Sequence, residues 1–269
     1  MEKNSASSHP AFEVGLRYNK LSLLKSALSK GGTSCSYDES ADAETIRIKD
    51  ACGNTFVATE SKSNNEVMNT NEPTIASLLH RKSNAFTDDI AAPKTNPLCE
   101  GINYVEYFVP VRRDDDGKTV EKIARFYDFF FDAPTTVVHD GTSHVAIIGF
   151  GKIEVNGRAE QSLLFRERLC DSPPAAYVSE CDEDIGSGHH IAIYVGANDE
   201  DFEVAASNCV EGDLLWVNSR FEDRVLDVGS AMHNKQFRFK DIIDIETGDV
   251  VFVLEHEVRS VTSTLSDKT

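Results

Sequence analysis

Cations are scarce in this 269-residue chain. Lys and Arg total 27 against 45 Asp and Glu, leaving a net charge of −18. That deficit argues against duplex nucleic acid as a partner, because affinity there rests on cationic contacts to phosphate, and against an anionic membrane surface for the same reason. No apolar run approaches the roughly 20 residues a membrane helix needs. The stretch Met1–His9 has no apolar signal core, so a cytoplasmic location is expected. None of Cys35, Cys52, Cys99, Cys170, Cys181 and Cys209 falls in a C-x-x-C pair. This spacing counts against a structural zinc site, and without a secretory signal it counts against a disulfide framework, so reduced thiols are expected. There is no Gly-x-Ser-x-Gly elbow and no Gly-x-x-x-x-Gly-Lys loop, which removes two common catalytic frameworks. What is present is a globular composition, 40% hydrophobic with 15 Phe, in a chain long enough for one to two domains.

The hydrophobic pattern repeats. In the first copy, 12–18 reads as a strand, 21–28 as a helix stopped by Gly31-Gly32, and 44–50 and 55–59 as a hairpin. A polar, Pro-containing linker spans 61–100, with a short helix at 75–81. The second copy has a strand at 102–111, an amphipathic helix at 120–131, and strands at 135–138, 144–149 and 161–166, with an Asn156-Gly157 turn. After an acidic connector at 171–186, the third copy has a strand at 190–195, a helix at 199–209, and strands at 213–217, 237–243 and 250–258. First strands superpose as Glu13-Val-Gly-Leu-Arg-Tyr, Glu106-Tyr-Phe-Val-Pro-Val and His190-Ile-Ala-Ile-Tyr-Val, 93 and 84 residues apart. Ile46-Arg-Ile-Lys-Asp likewise lies over Phe237-Arg-Phe-Lys-Asp.

Three segments carry a family resemblance: His189-His190-Ile-Ala-Ile-Tyr-Val, Arg125-Phe-Tyr-Asp-Phe-Phe-Phe131 and Asp50-Ala-Cys-Gly-Asn-Thr-Phe, the last with Ala51 where proline is usual. Together they resemble the vicinal oxygen chelate superfamily, which includes glyoxalase I, extradiol dioxygenases and bleomycin-resistance proteins. The resemblance implies an α+β fold of βαβββ modules paired into a half-open barrel. With three copies, modules 101–170 and 187–262 are expected to form the complete domain at 101–262, followed by a tail at 263–269. Residues 1–60 then become an extra N-terminal half-module, which pairs with another chain as a homo-oligomer, packs as an appendage or is a remnant.

The resemblance also implies a divalent metal, Zn, Fe, Ni or Mn, held by one residue from the first and one from the last strand of each module. His190 and Glu106 stand at equivalent first-strand positions, and laying Leu164-Phe-Arg-Glu167 over Leu254-Glu-His-Glu257 proposes Glu167 and Glu257. Glu257 or Glu167 would double as the proton-shuttling base of a lyase, isomerase or dioxygenase acting on a small molecule with adjacent oxygens. A second count, four residues on from the turn glycine, lands instead on Phe252, and on Val57 in the first copy. Strand alternation puts Glu255 on the side of Glu257 and His256 on the side of Phe252, so His256 is a substitute ligand. Plainer readings stand beside these. His190 can be a hydrogen-bonded core residue. Glu106 can pair with Arg112 or Arg166, and Glu255, Glu257, His256 and Arg259 can form a salt-bridged strand face. The alternative function is a metal-free protein sequestering a small apolar or aromatic ligand in a cup lined by Tyr104, Tyr107, Phe165, Trp216, Phe237, Phe239 and Phe252.

Overall fold

A computed structural model describes residues 12–18, 20–30, 36–39, 44–49, 54–60, 99–112, 115, 117–153, 159–170, 190–196, 198–219 and 224–261. The chain divides into two compact units: Met1–Phe108 with Val138–Arg166, and Val109–Val137 with Glu167–Thr269. The expected short helix at 75–81, the Asn156-Gly157 turn, the acidic connector and the tail lie outside the described residues.

The first unit is built on one large, curved, mixed sheet. Its elements are β1 (Phe12–Tyr18), α1 (Leu21–Lys30), β2 (Ser36–Glu39), β3 (Thr45–Lys49), β4 (Thr55–Glu60), β5 (Cys99–Val111), β6 (Thr135–His139), β7 (His144–Ile153) and β8 (Ala159–Leu169), the ends of β5, β6 and β8 passing into the second unit. The strand order is β2-β3-β4-β1-β5-β8-β7-β6. β1 runs parallel to β4 and antiparallel to β5, with Glu13 opposite Glu106. Each of the first two copies therefore contributes four strands in the same relative order, and the two halves meet where their first strands pair.

The first and second copies meet through their first strands, and the outer backbone groups of β1 are satisfied by β5 along its whole length. α1 forms where Leu21, Leu24 and Leu28 recur at helical spacing, and it packs on Ile46 and Ala58. The Leu21 N–H, one of the orphan donors of its first turn, donates to Glu60 Oε2 at 2.9 Å.

The second unit holds α2 (Lys118–Phe131), β9 (His190–Val195), α3 (Asp199–Glu211), α4 (Val228–Asn234), β10 (Gln236–Ile243) and β11 (Val250–Ser260). Its sheet order is β10-β11-β9. The strand expected at 213–217 reduces to a single bridge from Leu215 to Phe239, helped by Trp216 N–H donating to the Arg238 carbonyl at 2.9 Å. α2 turns Val120, Ile123, Phe126, Tyr127 and Phe130 inward, and Phe126 meets Phe239 at 5.7 Å between ring centres. Phe202 of α3 meets Phe237 at 5.5 Å, so the helices cover the β10 face that carries these two rings. Helix starts are closed by side chains: Asn198 accepts from Asp201 N–H, and Asp227 and Ser230 form a reciprocal cap on α4.

Candidate functional site

α1 covers one face of the β3–β4 region, through Ile46 and Ala58. Alternation along a strand then puts Arg47 and Val57 on the other face. There Glu13 and Glu106 stand opposite each other, 6% and 5% exposed. Two buried carboxylates this close repel unless each is matched by positive charge. Each is matched. Arg47 binds Glu13, and Arg166 Nε donates to Glu106 Oε1 at 2.5 Å. Arg166 reaches on to Asp140 and donates to Ser143 Oγ at 3.1 Å, which ties the β6–β7 turn to the pair. The Tyr104 hydroxyl donates to Glu13 Oε1 at 2.8 Å. Gly15 makes room for that ring: a Cβ there would lie 2.2 Å from it.

Electrostatics follow from these contacts. Burial raises the Glu106 carboxyl despite the opposing pull of Arg166. Burial and the neighbouring Glu13 charge push the Tyr104 phenol well above its ordinary value. Burial works against ionised Asp140, yet hydrogen bonds from Thr142 and Arg166 hold its carboxyl far below the usual range.

The second unit carries a related charged face. Across the β9–β11 ladder, Glu255 lies opposite His190, Glu257 opposite Ala192 and Arg259 opposite Tyr194, while Arg238 of β10 lies opposite Glu257. Glu257 takes Arg238 Nη2 at 2.5 Å and is also bound by Arg259, whereas His190 Nε2 stands 3.9 Å away. Asn218 Nδ2 donates to Glu255 Oε1 at 2.9 Å. Burial works against the Glu257 charge, but Arg259 and Arg238 hold its carboxyl below the ordinary range.

Register settles which β11 residue belongs to this face. In the first copy Val57 pairs with Gly15 and Arg47; in the third, Glu257 pairs with Ala192 and Arg238. Glu257, not Phe252, therefore stands where Val57 stands. Counting from Gly248 misleads because the β10–β11 ladder carries two register shifts. His256 is no substitute ligand. It is fully buried beneath α2, with Nε2 2.6 Å from Tyr127 Oη, Nδ1 2.6 Å from the Leu254 carbonyl and its ring stacked on Phe239. Since Nδ1 must donate to that carbonyl, Nε2 accepts from the tyrosine.

The four residues proposed as metal ligands fall in different units: Glu106 in the first, and His190, Glu167 and Glu257 in the second. Glu167 is buried. Among the described residues no group of three or more His, Cys, Asp and Glu is arranged to hold a metal ion. Nor does the donor chemistry fit one. Guanidinium groups already compensate Glu13, Glu106 and Glu257, and a divalent cation would have to sit against them. A depressed Glu257 carboxyl is also poorly matched to proton abstraction near neutral pH.

The functional-site residues that sequence reasoning missed are Arg47, Tyr104 in its polar role, and Arg238. A signal for the arginines existed, since Arg47 and Arg238 occupy one position in the superposed hairpins. Of the expected cup-lining rings, Phe237 and Phe239 instead form core beneath the helices, and Tyr107 and Phe165 stack on each other at 5.9 Å, both buried.

No family profile and no curated protein sequence matches the chain. Several solved structures are similar. Glyoxalase I from Zea mays is 11% identical over 98% of this chain and 74% of that one, with a TM-score of 0.45. A possible glyoxalase from Bacillus cereus is 11% identical over 57% of this chain and 95% of that one, with a TM-score of 0.28. The 2,2',3-trihydroxybiphenyl 1,2-dioxygenase of dibenzofuran-degrading Sphingomonas wittichii strain RW1 is 12% identical over 92% of this chain and 69% of that one, with a TM-score of 0.28. Glyoxalase I and extradiol dioxygenases belong to the vicinal oxygen chelate superfamily, whose motifs the sequence resembles. At these TM-scores the likeness assigns no activity, and the architecture rests on the strand order itself.

Proposed function

We propose that the chain is a metal-independent binding protein for a small molecule with adjacent oxygens, held on the polar face of the first unit's sheet. One observation carries this reading: Glu106, which the resemblance offers as a metal ligand, and Glu13 opposite it are each matched by an arginine. A guanidinium presents a planar fork of N–H donors that fits paired or anionic oxygens, which is the recognition a metal would otherwise supply. Arg47, with its side chain 50% exposed, is the group a ligand reaches. Tyr104 and Arg166 fix the geometry around it.

The test is calorimetric titration of catechol and of pyruvate into protein stripped with EDTA and into untreated protein. At least one probe is expected to bind equally well to both. Arg47→Gln should then weaken it about tenfold or more, the loss of one charge-assisted contact. Binding or turnover that returns only with added divalent metal would overturn the reading, as would failure of both probes to bind. A metal-dependent lyase, isomerase or dioxygenase is the reading such a result would favour.

A further inference from the structure

Two helices of the second unit end side by side, and both ends are negative. Asn208 Nδ2 of α3 donates to the Phe130 carbonyl of α2 at 3.3 Å, and the Phe130 ring packs so closely on Gly212 that a Cβ there would lie 2.8 Å from it. The last turns of α2 and α3 are therefore neighbours. Carbonyls at a helix C-terminus carry partial negative charge, which Lys or Arg in the last turn ordinarily offsets. Neither helix has a basic residue there. Asp128, Asp132, Glu211 and Asp213 stand there instead, all exposed, and none of the four forms an ion pair with another described residue.

The same place holds an aromatic ring in water. Phe129 is 61% exposed, the one exposed phenylalanine among the described residues, and it meets Phe130 edge-on at 5.1 Å. Val210, in the last turn of α3, is 36% exposed. Folding alone does not favour this arrangement. Asp132 and Asp213 follow the two helices in the left-handed conformation, at φ 49° and 54°, a position glycine or asparagine fills with less strain. Each also sets a carboxylate against like charge. Departures from local preference of this kind are expected where a surface serves binding.

We propose that this end of the second unit, Phe129 and Val210 beside Asp128, Asp132, Glu211 and Asp213, docks a Lys- or Arg-rich polypeptide segment that carries an apolar side chain among its cations. The occupant follows from charge complementarity. Four uncompensated carboxylates at two helix C-termini attract cations, and they repel a second copy of this chain, which brings the same face and a net charge of −18. Nucleic acid and anionic membranes are repelled by the same charge. The exposed ring accepts an apolar anchor, and Lys or Arg also lies favourably over its face. The surface belongs wholly to the second unit and stands independently of the ligand proposed for the first.

Fluorescence anisotropy of a fluorescein-labelled peptide repeating Lys-Lys-Leu-Lys, titrated with the full chain, tests this. It is expected to bind with a Kd on the order of 10 μM at low salt and to weaken as salt rises, whereas the repeat with Glu for Lys does not bind. Phe129→Ser should weaken the Lys-Leu repeat about tenfold, and so should Asp132→Asn combined with Asp213→Asn. That Asp pair gives a readout a structural role would not. It should raise the urea midpoint of the second unit, followed by Trp216 fluorescence, because it relieves like charge at both helix ends. Asp38→Asn with Glu39→Gln on β2, an equal change of net charge, should leave the affinity within about twofold. No binding of the Lys-Leu repeat would overturn the proposal, as would an affinity that Phe129→Ser ignores or that both charge pairs weaken equally. So would an Asp pair whose weaker binding accompanies a lower midpoint. Dimerisation of the chain that is lost in Phe129→Ser would overturn it in favour of a second copy.

Discussion

Acidification should weaken the second unit through one residue. His256 is fully buried, neutral and committed at both ring nitrogens, and burial pushes its pKa down to about 3 from an ordinary 6.5. The unfolded chain takes up a proton near pH 6.5, while the folded protein does so only near 3. Stability contributed by the neutral ring is therefore fully present above pH 6.5 and is lost as pH falls from there toward 3. Between pH 7 and pH 5 this amounts to about 2 kcal/mol at 1.36 kcal/mol per pH unit. Other carboxylates add to the acid slope, so the discriminating quantity is a difference between proteins. Trp216 is the only tryptophan and belongs to the second unit, so its fluorescence in urea titrations reports that unit's unfolding. His256→Gln is expected to be less stable at pH 7 and to lose about 2 kcal/mol less than the wild type on going to pH 5. Parallel pH profiles for the two proteins would refute the argument.

Other consequences are equally specific. Tyr127→Phe removes the donor to His256 Nε2 and leaves a buried acceptor, so the second unit should lose about 1–3 kcal/mol in the same urea assay. Phe126→Ala empties a site packed against Phe130, Phe131 and Phe239 and should cost about 3–5 kcal/mol there. Gly15→Ala drives a Cβ into the Tyr104 ring and breaks its hydrogen bond to Glu13; a loss of about 1–3 kcal/mol in thermal or urea unfolding of the first unit is expected, and a neutral result would mean the ring has room to move. A double-mutant cycle of Glu106→Gln and Arg166→Gln should show coupling of about 1 kcal/mol or more, since removing either partner leaves the other buried or half-buried beside Glu13 or Asp140.

Much of the fold was legible in the residues because it is periodic. The superposed hairpins Ile46–Lys49 and Phe237–Lys240 occupy the same strand of their modules, and the equivalence of Glu13 with Glu106 became a direct pairing across β1 and β5. The ion-pair reading of Glu106 and the salt-bridged reading of Glu257 with Arg259 also follow from ordinary strand chemistry. What the residues did not encode locally is which edges meet. The polar stretch after Glu60 looks like a domain boundary, yet the strand beyond it completes the first copy's sheet, because edge pairing is a long-range choice. β2 was missed since Ser36-Tyr-Asp-Glu39 is almost wholly exposed and has no alternation to read. α4, at seven residues, was too short for helical periodicity and is marked only by its Asp227 cap. The ligand count failed at Gly248 because bulges move register without leaving a compositional trace.

Replacement of a metal by arginine charge is tested most directly by titrating Zn²⁺ and Ni²⁺ calorimetrically into tag-free protein, with elemental analysis of the same sample. Matched carboxylates predict less than 0.1 equivalent of metal as purified and no stoichiometric binding on titration, with Glu106→Gln and His190→Ala changing nothing, as roughly expected when guanidinium groups already supply the charge. One tightly held equivalent of metal, lost in either variant, would contradict the account.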